Sequence, residues 1–124
     1  FVDAAFHAKQ AGFDGVEIHM AHGYLGCSFL SPLLNQRTDA YGGDVVKRTR
    51  FARDIAEGVR KRCGNDFPFW CRVSAEEFIE GGQTLAEMTQ IVQLLQQYGY
   101  CAIHVSAGIG EYGNLVGLAT PIAS

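Results

Sequence analysis

Apolar residues over the first eleven positions fall on one side of a helix. Val2, Ala5, Phe6 and Ala8 share a face, Asp3, His7 and Lys9 lie away from it, and Gly12 follows as a stop. The period then changes. Phe13-Asp14-Gly15-Val16-Glu17-Ile18-His19 alternates apolar and polar positions from Val16, the mark of a short strand. From residue 20 to 43 no period holds, and Gly23, Gly26, Pro32, Gly42 and Gly43 predict a long irregular connection. Asp44 is a candidate N-cap for a helix running to Arg62, with Val45, Ala52, Ile55 and Val59 on its buried stripe and Gly64 beyond it. Pro68 leads into a second strand, Phe69-Trp70-Cys71-Arg72-Val73-Ser74. Gly81-Gly82 breaks the chain, and Thr84-Leu85-Ala86-Glu87 has the form of a capping box. The helix it opens carries Leu85, Met88, Ile91, Val92, Leu95 and Tyr98 and stops at Gly99. Tyr100 to Ser106 is a third strand, and the glycine-rich stretch 107–124 holds no clear element.

The order α-β-α-β-α-β predicts a parallel sheet with right-handed crossovers. Connections from helix to strand are short, whereas the connection after the first strand is long. In parallel α/β folds the strand-to-helix side is where sites are built, and a loop of this length is either functional or disordered.

Composition narrows the class. With 124 residues, 48% of them hydrophobic, the chain is one globular domain or part of one. A net charge of −3 with scattered Lys and Arg argues against nucleic acid, and no apolar run is long enough for a membrane span. Cys27, Cys63, Cys71 and Cys101 lie far apart, which predicts free thiols in a reducing, cytoplasmic setting and neither a disulfide framework nor an iron–sulfur or zinc site. The helical pattern is already under way at Phe1, without a methionine, so the chain is expected to be a piece of a longer protein.

The chemistry concentrates in His19-Met20-Ala21-His22-Gly23-Tyr24, at the carboxyl end of the first strand. Alternation directs Val16 and Ile18 to one face and Glu17 and His19 to the other. Imidazole N–H groups can polarise a carbonyl oxygen and a phenol can deliver a proton. Spacing alone favours a plainer reading, in which the histidines bond to loop backbone and Tyr24 joins Leu25, Phe29 and Leu30 in the core. A metal site is disfavoured, because HxxH supplies two ligands with no third nearby.

A longer pattern carries more. Gly12-Phe13-Asp14-Gly15-Val16-Glu17-Ile18-His19, then Ala21-His22-Gly23-Tyr24-Leu25 and Phe29-Leu30-Ser31-Pro32, resembles the old yellow enzyme family of flavin oxidoreductases, most of all its enoate and 2,4-dienoyl-CoA reductase branch. The resemblance continues through Asn35-Gln36-Arg37-Thr38-Asp39-Ala40-Tyr41-Gly42-Gly43, Arg48, Arg50-Phe51, Phe67-Pro68, Arg72-Val73-Ser74, Glu77-Phe78, Glu80-Gly81-Gly82 and His104-Val105-Ser106. It implies that residues 1–124 are the central segment of an FMN-binding (β/α)8 TIM-barrel domain, incomplete at both ends, with three parallel strands and their helices. It implies an FMN-dependent oxidoreductase that uses NAD(P)H to reduce the C=C bond of α,β-unsaturated carbonyl compounds. His19 and His22 would bind the carbonyl oxygen of a small enone or enoate, Tyr24 would donate a proton to the α-carbon, and Arg72 would lie beside the pyrimidine side of the flavin. An iron–sulfur cluster elsewhere in the parent, and a homo-oligomer, stay open; no cluster ligands are expected in this chain.

The other reading is an inert βα fragment that binds no flavin, since a (β/α)8 barrel takes about 250 residues and three strands cannot close one. Arg72 could then be a strand-end arginine in an ion pair, although it shares a strand face with Trp70 and Ser74, opposite Phe69, Cys71 and Val73. Arg37-Thr38-Asp39 and Tyr41-Gly42-Gly43 are expected to brace the long loop, His104 to be a satisfied core histidine and His7 a solvated one. Two departures from the family pattern are Gly26-Cys27-Ser28, beside the substrate donors and so bearing on substrate fit, and Lys47 before Arg48. Gly108-Ile109-Gly110-Glu111-Tyr112-Gly113 spells a dinucleotide fingerprint, but no helix opens after it and no acidic residue follows Glu111, so a strand-to-helix loop is expected instead.

Overall fold

The computed structural model describes residues 1–109. Helix α1 (Val2–Gln10) leads into strand β1 (Val16–Met20); the following connection contains α2 (Leu25–Leu30), and α3 (Val45–Arg48) and α4 (Arg50–Cys63) complete the crossover to β2 (Phe69–Ser74). Helix α5 (Leu85–Gln97) then returns the chain to β3 (Ile103–Ser106). The three strands form a parallel sheet in the order β1-β2-β3, as the alternation of elements requires.

Strands β1 and β2 present their apolar positions to the helices, whereas Val105 of β3 is exposed. Ile18, Met20, Phe69, Cys71 and Val73 pack in one buried cluster with Ala52, Ile55, Ala56, Val59 and Cys63 of α4 and Met88, Ile91 and Leu95 of α5. Tyr100 lies just before β3 rather than in it; it is buried, and its hydroxyl donates to the Ala52 carbonyl at 2.9 Å. Burial raises its pKa, so the phenol is a neutral structural donor.

Four expectations shift. The stretch 20–43 is not wholly irregular, because α2 forms inside it. The helix expected from Asp44 is interrupted at Thr49, although the turns run on through hydrogen bonds from Thr49 N to Val45 O and from Arg53 N to Thr49 O. Asp44 does cap it, accepting from Lys47 N at 2.9 Å. The capping box at α5 is half made: Thr84 Oγ1 accepts from Glu87 N at 3.3 Å, while the Glu87 carboxylate accepts from the buried Arg48 Nη2 at 2.8 Å and so ties α3 to α5. Leu85, placed on the buried stripe by periodicity, is 58% exposed, because the first position of the helix lies past the edge of the core.

The long connection is braced as its sequence suggested. Asn35 Nδ2 donates to the carbonyls of Phe29 and Tyr41, each at 2.7 Å, Phe29 stacks on Phe51 with ring centroids 4.2 Å apart, and Tyr41 Oη donates to Asp54 at 2.7 Å. Arg37 pairs with Asp39, and that hydrogen bond, with one from Tyr41 N, holds the Asp39 carboxyl down at about 2. His7 is exposed, as expected. Of the fingerprint-like run, Gly110 to Gly113 lie outside the described residues.

The contrast between core and helix end is measurable. Phe69→Ala is expected to lower the unfolding free energy by about 3–5 kcal/mol in urea denaturation, and Leu85→Ala by no more than about 0.5 kcal/mol. Equal losses at the two positions would contradict the outward setting of Leu85.

Candidate functional site

Parallel pairing aligns the strands so that His19 of β1, Arg72 of β2 and His104 of β3 form one cross-strand row, on the face turned away from the helices. One step toward the carboxyl end, Ser74 pairs with Ser106. Beyond β1 the chain turns sharply: His22 takes a positive φ of 59°, uncommon for a residue with a Cβ. Its backbone N–H donates to Ser74 Oγ at 3.0 Å, and Ser74 Oγ donates onward to the Gly108 carbonyl at 2.6 Å. The next residue has to be glycine, because a Cβ on Gly23 would lie 2.6 Å from the Ile109 carbonyl oxygen.

This turn gathers the three donors. The His19 ring centroid lies 5.4 Å from that of His22 and 5.3 Å from that of Tyr24. Tyr24 is the N-cap residue of α2 and is 64% exposed, with both histidines partly buried beside it. Helix α2 sits directly on the end of β1, since a Cβ on Gly26 would lie 2.6 Å from the His19 carbonyl oxygen. Its far side is fixed by Glu77, a buried carboxylate that accepts from Ser31 Oγ at 2.8 Å, from Gln83 N at 2.7 Å and from Cys27 Sγ at 3.5 Å. Burial pushes the Cys27 thiol up to about 12, with the Glu77 charge adding to the effect, so Cys27 is a hydrogen-bond donor and no nucleophile.

Charge around the site is organised by Arg72. Its Nη2 donates to Ser106 Oγ at 3.4 Å, while its Nε is buried and has no partner among the described residues. The same Ser106 oxygen lies 2.6 Å from His22 Nε2. Partial burial lowers the His22 pKa, and the positive charge of Arg72 and the neighbouring His19 and His104 lower it further, so the ring stays neutral where an ordinary histidine begins to protonate. Deeper on the same face, Glu17 accepts from Trp70 Nε1 at 2.7 Å and lies 3.0 Å from His104 Nδ1. Burial works to raise the Glu17 pKa, but the hydrogen bonds from His104 and Trp70, with the charges of His104 and Arg72, outweigh it and hold the carboxyl below its ordinary value.

The structure therefore brings His19, His22, Tyr24 and Arg72 to one end of the sheet. His104 corrects an expectation: its side chain is 50% exposed and paired with Glu17, and it is not buried in a core, because the face it occupies is open in a three-stranded sheet. Ser74, Ser106, Glu17 and Glu77 were not read as site-building residues from the sequence. A signal for the two serines was present, in the Arg72-Val73-Ser74 and His104-Val105-Ser106 runs that end successive strands alike.

Chemically, the cluster offers two imidazoles and a phenol to a polar group, and beside them a guanidinium with an unspent donor. A buried, unpartnered arginine Nε calls for an acceptor, and the electron-rich pyrimidine edge of a flavin would supply one; these residues fit that group. No cluster of three or more His, Cys, Asp or Glu side chains able to hold a metal ion occurs among the described residues, and none of their helices is long and apolar enough to cross a membrane.

Comparison with known proteins agrees with this fold. Residues 1–120 match the NADH:flavin oxidoreductase / NADH oxidase family. An NADH oxidase of Thermoanaerobacter brockii is 50% identical over 111 residues, which are 90% of this chain and 17% of that protein. The fold of a 2-naphthoyl-CoA reductase in complex with 2-naphthoyl-CoA superposes with a TM-score of 0.82 at 36% identity, over 86% of this chain and 16% of that one. An old yellow enzyme homologue from Zymomonas mobilis superposes with a TM-score of 0.72 at 33% identity, over 84% of this chain and 30% of that one. The chain thus spans between about a sixth and a third of the length of these relatives. Three parallel strands with their helices, in a match running nearly end to end, make this chain a partial α/β barrel that belongs to the NADH:flavin oxidoreductase family, the family of old yellow enzyme.

Proposed function

We propose that this segment carries the substrate-binding and proton-donating part of an FMN-dependent ene-reductase, which uses NAD(P)H to reduce the C=C bond of a small enone or enoate. The observation that carries the reading is the meeting of His19, His22 and Tyr24 at the end of β1, beside Arg72 with its unpartnered Nε. Bound and reduced, FMN supplies the hydride for the β-carbon of the substrate.

As hydride arrives at the β-carbon, negative charge develops on the carbonyl oxygen. His19 and His22 hold that oxygen with N–H donors that are fixed before reaction, so they stabilise the developing enolate more than the ground state. The lowered pKa of His22 keeps it a neutral donor, which leaves the enolate oxygen unprotonated and directs protonation to carbon. Tyr24, exposed at the mouth of the cluster, is the proton source for the α-carbon. Arg72 would hold the cofactor, setting a permanent positive charge beside the side of it that is electron-rich when reduced. Cytoplasmic placement fits the chain's unpaired thiols, three of them buried and inert in place.

The strands that would close the barrel are outside this sheet, whose outer strands β1 and β3 each pair on one side only among the described residues. The 124-residue chain is accordingly expected to show no NAD(P)H-dependent reduction of 2-cyclohexenone and no shift of added FMN absorbance; turnover by it would overturn this assignment of the missing parts. In a complete barrel carrying the segment, Tyr24→Phe is expected to slow alkene reduction by about 10²–10⁴-fold, with flavin reduction by NAD(P)H nearly unchanged in stopped-flow traces. Equal losses in both half-reactions would remove Tyr24 from the proton-donor role. His19→Ala and His22→Ala are each expected to weaken binding of a para-substituted phenol, a mimic of the enolate, by about tenfold or more in a spectral titration, as loss of a hydrogen bond to a charged oxygen predicts. Unchanged affinity would take the histidine out of the site.

A further inference from the structure

Two serines hold His22, one by its backbone and one by its ring. Ser74 is buried, and its hydroxyl is fully committed: it accepts the His22 N–H at 3.0 Å and donates to the Gly108 carbonyl at 2.6 Å. That bridge joins the ends of all three strands and stabilises the left-handed backbone of His22, whose φ is 59°. Ser106 faces the ring, with its oxygen 2.6 Å from Nε2 and 3.4 Å from Arg72 Nη2.

We infer that Ser106 is a positioning residue that sets the tautomer of His22, donating its hydroxyl proton to Nε2 so that the ring proton sits on Nδ1 and serves as the free donor of the substrate site. A serine hydroxyl has one proton to give, and an arginine nitrogen can only donate. If His22 Nε2 also donated, two N–H groups would converge on one oxygen and the Ser106 proton would have no acceptor among the described residues. With the roles reversed the Ser106 oxygen and proton are both used: Arg72 donates to Ser106, Ser106 donates to Nε2, and Nδ1–H is left for a ligand. The neutral ring this requires agrees with the burial and the surrounding charge of Arg72, His19 and His104, which disfavour its protonation.

The chain of donors makes the flavin-side arginine and the substrate-side histidine parts of one unit. Arginine polarises the serine, which strengthens the bond to Nε2 and in turn makes Nδ1–H a better donor. Histidine in water prefers the proton on Nε2, so the arrangement works against the default and needs a hydroxyl at position 106 to persist. This inference rests on the carbonyl-binding role proposed for His22, but its test is independent of turnover.

The test is long-range ¹H–¹⁵N NMR of the full chain labelled at histidine, with His22→Asn used to assign the His22 signals. The expected wild-type pattern is a protonated Nδ1 and a bare Nε2. Ser106→Ala is expected to convert most of the population to the Nε2–H form, and Ser106→Thr, which keeps the hydroxyl, to restore Nδ1–H. An Nε2–H pattern in the wild-type chain overturns the inference whether or not any variant folds, and so does an Nδ1–H pattern that survives Ser106→Ala. If the tautomer is as inferred while phenol affinity of the flavin-loaded barrel ignores His22→Ala, the carbonyl-binding role fails and the tautomer assignment stands.

Discussion

The carboxylate of Glu77 is the contact on which the site end of this structure hangs. A charge at 2% exposure is tolerated only when donors surround it, and here they come from two separate connections: Ser31 and Cys27 from the α2 region, Gln83 N from the loop that precedes α5. Loss of one hydrogen bond to such a buried charge typically costs about 1.5–3 kcal/mol. The requirement fixes α2 against the end of β2, and with α2 comes Tyr24 at its N-cap position and the turn that presents His22. A structural carboxylate thus sets the geometry of groups that it does not touch.

The two faces of the sheet divide the labour. Apolar positions of β1 and β2 make the core with α4 and α5, while the opposite face carries Glu17, His19, Trp70, Arg72, Ser74, His104 and Ser106. The two ends differ as well. At the end where the strands begin, Arg60 donates to the carbonyls of Asn65 and Phe67, each at 2.8 Å, and of Gly99 at 3.0 Å, and its guanidinium lies 4.4 Å from the Phe69 ring centroid, so short connections are cemented there. At the other end the connections are longer and their polar groups meet one another. Stability and chemistry are separated along the same strands, as parallel α/β folds allow.

Much of this was legible in the chain. Alternation in Val16–Met20 and Phe69–Ser74 identified both strands and the correct face for Ile18, His19 and Arg72, and the stripe Ala52, Ile55, Val59 identified the face of α4. The failures have particular causes. Helix α2 escaped because Leu-Gly-Cys-Ser-Phe-Leu is short and rich in weak helix formers; packing on Met20 and the Cys27 bond to Glu77 hold it in place of propensity. Leu85 fitted the period of α5 yet falls at its first position, where periodicity has no knowledge of where the core stops. His104 was assigned to the correct face, but whether a face is buried depends on what lies across it.

Local pattern was enough for element order, strand faces and the parallel sheet, while the resemblance to a known family, and not periodicity, marked His19, His22, Tyr24 and Arg72 as residues to watch. Pattern alone could not say that His22 is gripped by Ser74 and Ser106, which lie 52 and 84 residues away along the chain. Periodicity reports the geometry of a backbone over a few residues. Register between strands, the left-handed turn at His22 and the donors gathered around Glu77 arise only when distant segments compete for the same space and the same protons, and it is there that a set of suitable side chains becomes a site.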